Sequence, residues 1–308
     1  MEKKRLFAAV MLAVAAIAAP AQNAGTAGKA SAKNTAKAEK KADGDRRAED
    51  TTTPMYECLY EYKVALKGKN GADATETYNT ILQIGGKFAK FEDYAAYQLD
   101  SARTAGVQGD ALDKYEDQLY TSAYYFAPVV YSNHPSGQMT IDDELIPNRF
   151  RYQEQMPGAK ASLGQDTATV CGYLCTKATL AYGGRDWTLW MAQDIPAAYG
   201  PWKLCGLPGL VLDAEDATHT HHFRAIAIRK ATLPVVMTAN VKTLKTQRGK
   251  FIKARNDFYS APNPMEKIPM EGITDMQIIK GKDDNSVFLI NGVQLREKHN
   301  GFSPLETE

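Results

Sequence analysis

Three histidines crowd one short stretch of the sequence, His219, His221 and His222, directly after Asp213, Glu215 and Asp216. Imidazole combined with carboxylate suits zinc or copper. Alternation along an extended backbone would place His219 and His221 on one side. A solvated polar turn at a hairpin tip accounts for the same residues, because a motif outside its structural context is only a hypothesis. Asp142-Asp143-Glu144 and Asp283-Asp284-Asn285 offer further oxygen donors, but neither has the spacing of a calcium loop, and ordinary turns explain both. Zinc or copper at the histidines is therefore the one cofactor with any support; otherwise none is expected.

Nucleophilic chemistry has less to build on. The chain contains no Gly-x-Ser-x-Gly elbow, no His-Glu-x-x-His, no Walker loop and no Gly-x-Gly-x-x-Gly. Cys171 and Cys175 are one residue too far apart for the usual redox pair. Lys177 follows Cys175 by two positions, where it would depress a nearby thiol pKa, although a strand lysine ordinarily faces water. A hydrolase assembled from residues distant in sequence is the third reading, behind a binding role and a metal-handling one.

Recognition chemistry is richer. Residues 171–216 hold three of the four cysteines and all three tryptophans. Arg185, Trp187, Trp190, Tyr199 and Trp202 are candidates for a binding surface, since tryptophan and arginine combine area with directed hydrogen bonding, and Pro196 and Pro201 would stiffen the loop that carries them. The competing reading makes the tryptophans a core cap at one sheet end, with Arg185 paired to Asp186 or Asp194. Trp202, beside Pro201, is the expected exposed contact.

The elements that must position these residues are mostly strands. Tyr56, Cys58, Tyr60, Tyr62 and Val64 alternate with Glu57, Glu61 and Lys63, and Tyr78–Ile84 repeats the pattern after a Gly/Asn turn. Further strands are expected at 87–92, 139–142, 150–154, 170–182, 187–192, 210–215, 222–229, 276–280 and 287–290. Gly183-Gly184 supplies a tight reversal, and Pro208-Gly209 fits a type II turn. Ile195-Pro196 and Gly200-Pro201 are possible sites of cis bonds. Helices are expected at Asp110–Tyr120 and Thr238–Tyr259. The predicted class is mainly β, a curved antiparallel sheet or partly open barrel with one or two helices.

Organisation follows from composition. Lys3, Lys4 and Arg5 precede the apolar run 6–19, and Ala19-Pro20-Ala21 supplies small residues before Gln22, so residues 1–21 read as a secretory signal peptide cleaved after Ala21. The run is too short for a span of about 20 residues, and the mature chain is expected to have none. Residues 22–50, rich in Ala and Lys, are expected to be a disordered linker, and 51–308 a single β-rich domain. The chain carries a net charge of +1, with no basic stripe in the body, which argues against nucleic acid.

Export permits disulfides. Were Cys171 and Cys175 on one strand, they would lie roughly 13 Å apart, beyond the bridging limit of about 7 Å. The preferred bridge is Cys175–Cys205, with Cys58 and Cys171 paired or free; four packed thiols are the alternative.

Lys177-Ala178, Gly184-Arg185, Trp187, Trp190, Ile195-Pro196, Gly200-Pro201 and above all Gly206-Leu207-Pro208-Gly209-Leu210 occur in an order that resembles the GLPGLI family of secreted proteins from Bacteroidetes-type bacteria. Val211 stands where the name motif ends in isoleucine. The resemblance covers about 172–216 and implies export, an envelope or periplasmic location and a mostly β fold; it supplies no catalytic residues. The expected function is a non-enzymatic binding or assembly module of the cell envelope, with an envelope protein or an apolar ligand, as in a lipoprotein carrier, as partner.

Overall fold

Residues 46–68, 71–122, 124–240, 242–280, 286–295 and 302–307 are described by the computed structural model. The expected signal peptide, most of the 22–50 linker and the acidic run at 283–285 lie outside the described residues. In chain order the strands are β1 (Arg46–Thr52), β2 (Pro54–Lys67), β3 (Asp73–Gly85), β4 (Ala89–Asp93), β5 (Val129–Ser132), β6 (Gln138–Leu145), β7 (Asn148–Gln155), β8 (Ser162–Val170), β9 (Tyr173–Tyr182), β10 (Arg185–Ala192), β11 (Leu210–Asp216), β12 (His221–Lys230), β13 (Val235–Asn240), β14 (Leu244–Lys245), β15 (Met276–Lys280), β16 (Ser286–Ile290) and β17 (Val293–Gln294). The α-helices among them are α1 (Tyr94–Thr104), α2 (Asp110–Thr121) and α3 (Arg248–Tyr259).

Twelve strands form one sheet in the order β14-β7-β6-β5-β4-β3-β2-β12-β11-β10-β9-β8. Every pairing in it is antiparallel except that of β14 with β7. The ladder does not close into a barrel, yet it curls until its ends approach. Tyr182 Oη of β9 donates to Glu154 Oε2 of β7 at 2.6 Å although eight strands separate them in the ladder.

Alternation explains which face is inside. Cys58, Tyr60, Tyr62 and Val64 of β2 are buried within the curl, beside Phe91, Phe223 and Trp187. The Tyr62 and Phe223 rings stack with centroids 4.1 Å apart, an aromatic contact that adds about 1 kcal/mol to the area buried. Glu57, on the other face, is also buried, because α1 lies over it: Tyr97 Oη donates to one carboxylate oxygen and Arg229 Nε to the other, each at 2.7 Å. Asp93 caps α1 by accepting from Ala95 N and Ala96 N. β1 and β13 pair as a separate ribbon, and Val235 and Met237 pack on Phe88 and Tyr131.

Several boundaries differ from the sequence reading. The strand expected at 170–182 begins only at Tyr173: Val170 closes β8, and Cys171 and Gly172 take positive φ, 50° and 82°, and reverse the chain between β8 and β9. The helix expected at Thr238–Tyr259 occupies only Arg248–Tyr259; Val235 and Met237 alternate inward and make β13 a strand. β1 begins at Arg46, inside the expected linker. The cis bonds among the described residues are His134-Pro135 and Ile146-Pro147, not those before Pro196 or Pro201. No helix among the described residues is long and apolar enough to cross a membrane.

Candidate functional site: a cleft crossed by the C-terminal segment

Where the ends of the curled sheet approach, residues 302–307 run across the gap. Arg185, just after the Gly183-Gly184 reversal, grips this segment through its main chain: Nη2 donates to Pro304 O at 2.6 Å and Nε to Leu305 O at 3.2 Å. Its Nη1 donates to Asp216 Oδ2 at 2.7 Å, which aims the guanidinium. Asp216 in turn accepts from the Thr220 and His221 backbone amides at 2.8 and 2.7 Å. Burial works against its charge, but the His221 amide, the Thr218 hydroxyl and Arg185 together hold the carboxyl below the ordinary range.

From α3, Arg255 Nη2 and Asn256 Nδ2 donate to Glu306 O at 3.3 and 3.0 Å, and Thr307 N donates to Gly183 O at 2.9 Å. Four main-chain groups of the segment, three carbonyls and one amide, are thus engaged by five hydrogen bonds. Gly183 takes φ +66°, and a Cβ there would sit 3.1 Å from Glu306 Cγ. Phe302 packs on Tyr259 with centroids 4.9 Å apart.

The side chain of Glu306 enters a buried charged pocket. Lys203 Nζ donates to Glu306 Oε1 at 2.5 Å and to Tyr152 Oη at 2.9 Å, and lies 2.6 Å from Glu154 Oε1. Arg248 Nε is 3.0 Å from Glu154 Oε2, and its Nη2 is 3.5 Å from Glu306 Oε1. Lys203 and Glu306 are each 1% exposed at the side chain. Burial disfavours the ammonium, but Tyr152, Glu306 and Glu154 more than offset it and raise the Lys203 pKa. Two cations facing two carboxylates leave the pocket neutral with the segment in place.

His221 is fully buried at the same cleft, with Nδ1 2.8 Å from Tyr62 Oη and Nε2 3.2 Å from Ser303 Oγ. Desolvation, then the Arg185 charge, pushes its pKa down to about 3. Ser303, His221 and Tyr62 line up like a nucleophile, base and orienter. An imidazole neutral down to that pH is a weak proton acceptor at neutrality, where a general base works best with a pKa near the working pH.

One hollow borders the segment, and a second lies beside the side chains that hold it. One of about 110 Å³ lies beside Tyr62, Tyr78, Phe126, Phe302 and Leu305. A larger, open one of about 600 Å³ lies beside Glu154, Tyr182, Gly184, Arg185 and Arg248.

Of the five surface candidates, Arg185 is the one whose side chain hydrogen-bonds the segment among the described residues. Trp187 and Trp202 are buried, in contact with each other at a centroid distance of 6.0 Å, and Trp187 Nε1 donates to Tyr182 O. Trp202 is therefore not the exposed contact expected; it forms the pocket wall, with Lys203 Nζ 5.4 Å above its ring. Trp190 and Tyr199 are half-buried at the edge of the core. Arg185 pairs with Asp216 rather than with Asp186 or Asp194.

The glycine-proline motif is explained by packing. A Cβ on Gly200 would meet Leu204 O at 2.2 Å, and one on Gly209 would meet Ala192 O at 2.6 Å. Gly206 takes φ +90° and backs onto Gly158. Gly209 has no positive φ, so Leu207-Pro208-Gly209-Leu210 is not the type II turn expected; closeness of backbones, not handedness, requires that glycine. Pro196 and Pro201 sit in the strand-free stretch between β10 and β11. Lys177 on β9 reaches Asp166 at 3.3 Å at the surface, away from any thiol role.

All four cysteines are unbridged. Cys175 Sγ faces Tyr173 O at 3.6 Å, while Cys205 Sγ packs on Met139 Sδ at 3.5 Å, so the bridge expected between them is absent. The spacing argument failed at its premise, because Cys171 lies in a turn. Burial pushes the Cys58 and Cys205 thiols up to about 12, which suits packed, unreactive sulfur.

The histidines diverge. His219 reaches Glu215 at 2.9 Å on the surface, His222 reaches Asp213 at 3.0 Å, and His221 turns inward. Among the described residues no three His, Cys, Asp or Glu side chains converge as a metal-ion site. Glu154, Lys203, Arg248, Arg255 and Glu306 escaped the sequence reading because nothing in their spacing links residues 50 to 150 positions apart. Lys203 carried the one available signal, a lysine between Trp202 and Leu204 in an otherwise apolar run.

No family model matches the sequence, and no curated protein does. Solved structures with which it shares a distant likeness include PNGF-II in two crystal forms. These are 13% identical, with TM-scores of 0.44 and 0.42, and the matches cover 66% and 65% of this chain but only 33% and 32% of those. The chain thus spans about a third of their length. The Pseudomonas aeruginosa MucA/MucB complex is 9% identical over 85% of this chain and 77% of that one, with a TM-score of 0.29.

Proposed function

We propose that this chain is a non-enzymatic binding or assembly module of the cell envelope whose ligand seat is the cleft crossed by residues 302–307. The observation that carries the reading is how the segment is held. Side chains and backbone from the β9–β10 turn, β10 and α3 bond its main chain, and one side chain enters a buried charged pocket. Main-chain recognition combined with one side-chain pocket is how proteins seat extended peptides. The basic leader and the ordered resemblance at 172–216 support export.

An apolar small ligand fits less well. The hollow beside Tyr62 and Phe302 is about 110 Å³, well under the roughly 300–1,000 Å³ of typical ligand pockets. The test is mass spectrometry of material that co-purifies with natively exported wild-type protein and with R185M. A species retained by the wild type and lost from R185M supports the cleft as the seat. Equal retention by both places binding elsewhere and contradicts it.

A further inference from the structure

The cleft's charge arithmetic names the class of ligand. With Glu306 in place the group of Lys203, Arg248, Glu154 and Glu306 is balanced; without it, the buried Lys203 and the half-buried Arg248 face one carboxylate. An uncompensated buried charge is costly, so whatever replaces the segment must bring a negative charge to the same place. The main-chain contacts to Pro304, Leu305 and Glu306 carry no side-chain information, whereas the Lys203 pocket does. Glu306 also fits imperfectly: Oε2 is buried with no hydrogen-bond donor among the described residues, and an unsatisfied buried acceptor weakens the contact that contains it. An open hollow lined by Glu154, Arg185 and Arg248 adjoins the pocket that holds the Glu306 carboxylate.

We infer that residues 302–307 are a built-in competitor, and that the cleft takes an extended acidic peptide segment from another envelope protein, its carboxylate replacing Glu306 against Lys203. This inference rests on the cleft being the ligand seat and adds to it the ligand's chemistry and the need for displacement. A second copy of this chain offers the same tail, but exchange of identical tails gains no contact that the intact monomer lacks, whereas a better-fitted acidic segment does.

The test titrates a fluorescent peptide of residues 302–308, FSPLETE, and its counterpart with glutamine at position 306, into three full-length proteins: wild type, E306Q and K203M/E306Q. E306Q keeps the main-chain contacts of the tail but loses its charge, so the cleft becomes easier to enter. The double variant leaves Glu154 with Arg248 and Tyr182, so its pocket stays balanced and folding is checked by cooperative melting.

The expected result is acidic-peptide binding to E306Q at least about tenfold tighter than to wild type. The glutamine peptide should bind about 100-fold more weakly than the acidic one, and the double variant should show no preference between them. Equal binding of the two peptides to E306Q overturns the inference, as does undetectable binding of the acidic one. Concentration-dependent dimerisation of wild type that E306Q abolishes overturns it in favour of tail exchange. Any of these outcomes leaves the co-purification test of the cleft standing, so the two readings fail separately.

Discussion

Two clusters in this molecule combine the same chemical groups and behave differently. At the β11–β12 hairpin, His219 with Glu215 makes a pair open to water, and His222 and Arg224 reach the Asp213 carboxylate from its solvent side. Across the cleft, Lys203 and Arg248 hold Glu154 and Glu306 out of water. Exposed pairs are screened and contribute about 0–1 kcal/mol, while breaking a buried pair costs about 3–5 kcal/mol because a charge is left unpaired. Density of ionisable residues in the sequence drew attention to the hairpin; burial puts the energy in the cleft.

The comparison breaks most sharply at Lys203. K203M leaves Glu154 and Glu306 buried with only Arg248 between them, and chemical denaturation should show a loss of about 3–5 kcal/mol. Next in size is G200A, whose new methyl group would collide with Leu204 O and Val211 Cβ. Overpacking of that kind costs about 1–3 kcal/mol, and the denaturation midpoint should fall while the slope is unchanged. A midpoint equal to wild type would mean that the 196–210 loop relaxes freely.

His221 gives a pH signature that its neighbour His222 reverses. Its folded pKa is pushed down to about 3 from 6.5, so the unfolded chain binds more protons between those values. Stability contributed by the neutral imidazole is therefore complete above the unfolded pKa and is lost as pH falls, by at most about 1.4 kcal/mol per pH unit. H221N should flatten that slope when its stability is compared with wild type from pH 7 to 4. Asp143, raised by burial to about 6 despite Arg255, contributes a slope of opposite sign over part of the window, and this cancels in the difference.

His222 has a folded pKa raised by its Asp213 hydrogen bond against desolvation. Its contribution is complete below the unfolded pKa and fades as pH rises through the folded one, so H222N should lose stability relative to wild type at pH 5 and match it at pH 8. The smallest effect belongs to His219, which is fully exposed; H219A should leave the midpoint in place.

Legibility followed locality. Alternation in β2 and β3 was plain, because one face of each packs into the core. β8 went unread apart from Val170 because its residues are nearly all exposed, which gives no buried period, and the reversal at Cys171 uses a residue type that does not announce positive φ. The end of β13, from Thr238, was read into the helix expected at 238–259 because scattered apolar residues satisfy both periods. The motif glycines were legible as turn chemistry, but their reason is steric approach between segments far apart in the chain.

Arg185 was readable from its place after a glycine reversal beside aromatics. Its partners Pro304 and Leu305 were not, since a polar C-terminal stretch with no periodicity reads as a loose end. The charged pocket needed the curl of the sheet, which brings Glu154 of β7 to Tyr182 of β9. No pattern within either strand records that approach.

The coupling between Lys203 and Glu306 tests the account most directly. A double-mutant cycle of K203M, E306Q and K203M/E306Q, followed by chemical denaturation, should give an interaction of about 2–3 kcal/mol, with the double variant more stable than K203M alone. Additive effects within about 0.5 kcal/mol would mean that the tail's carboxylate is not held by the buried lysine, and the cleft would lose its claim to select an acidic segment.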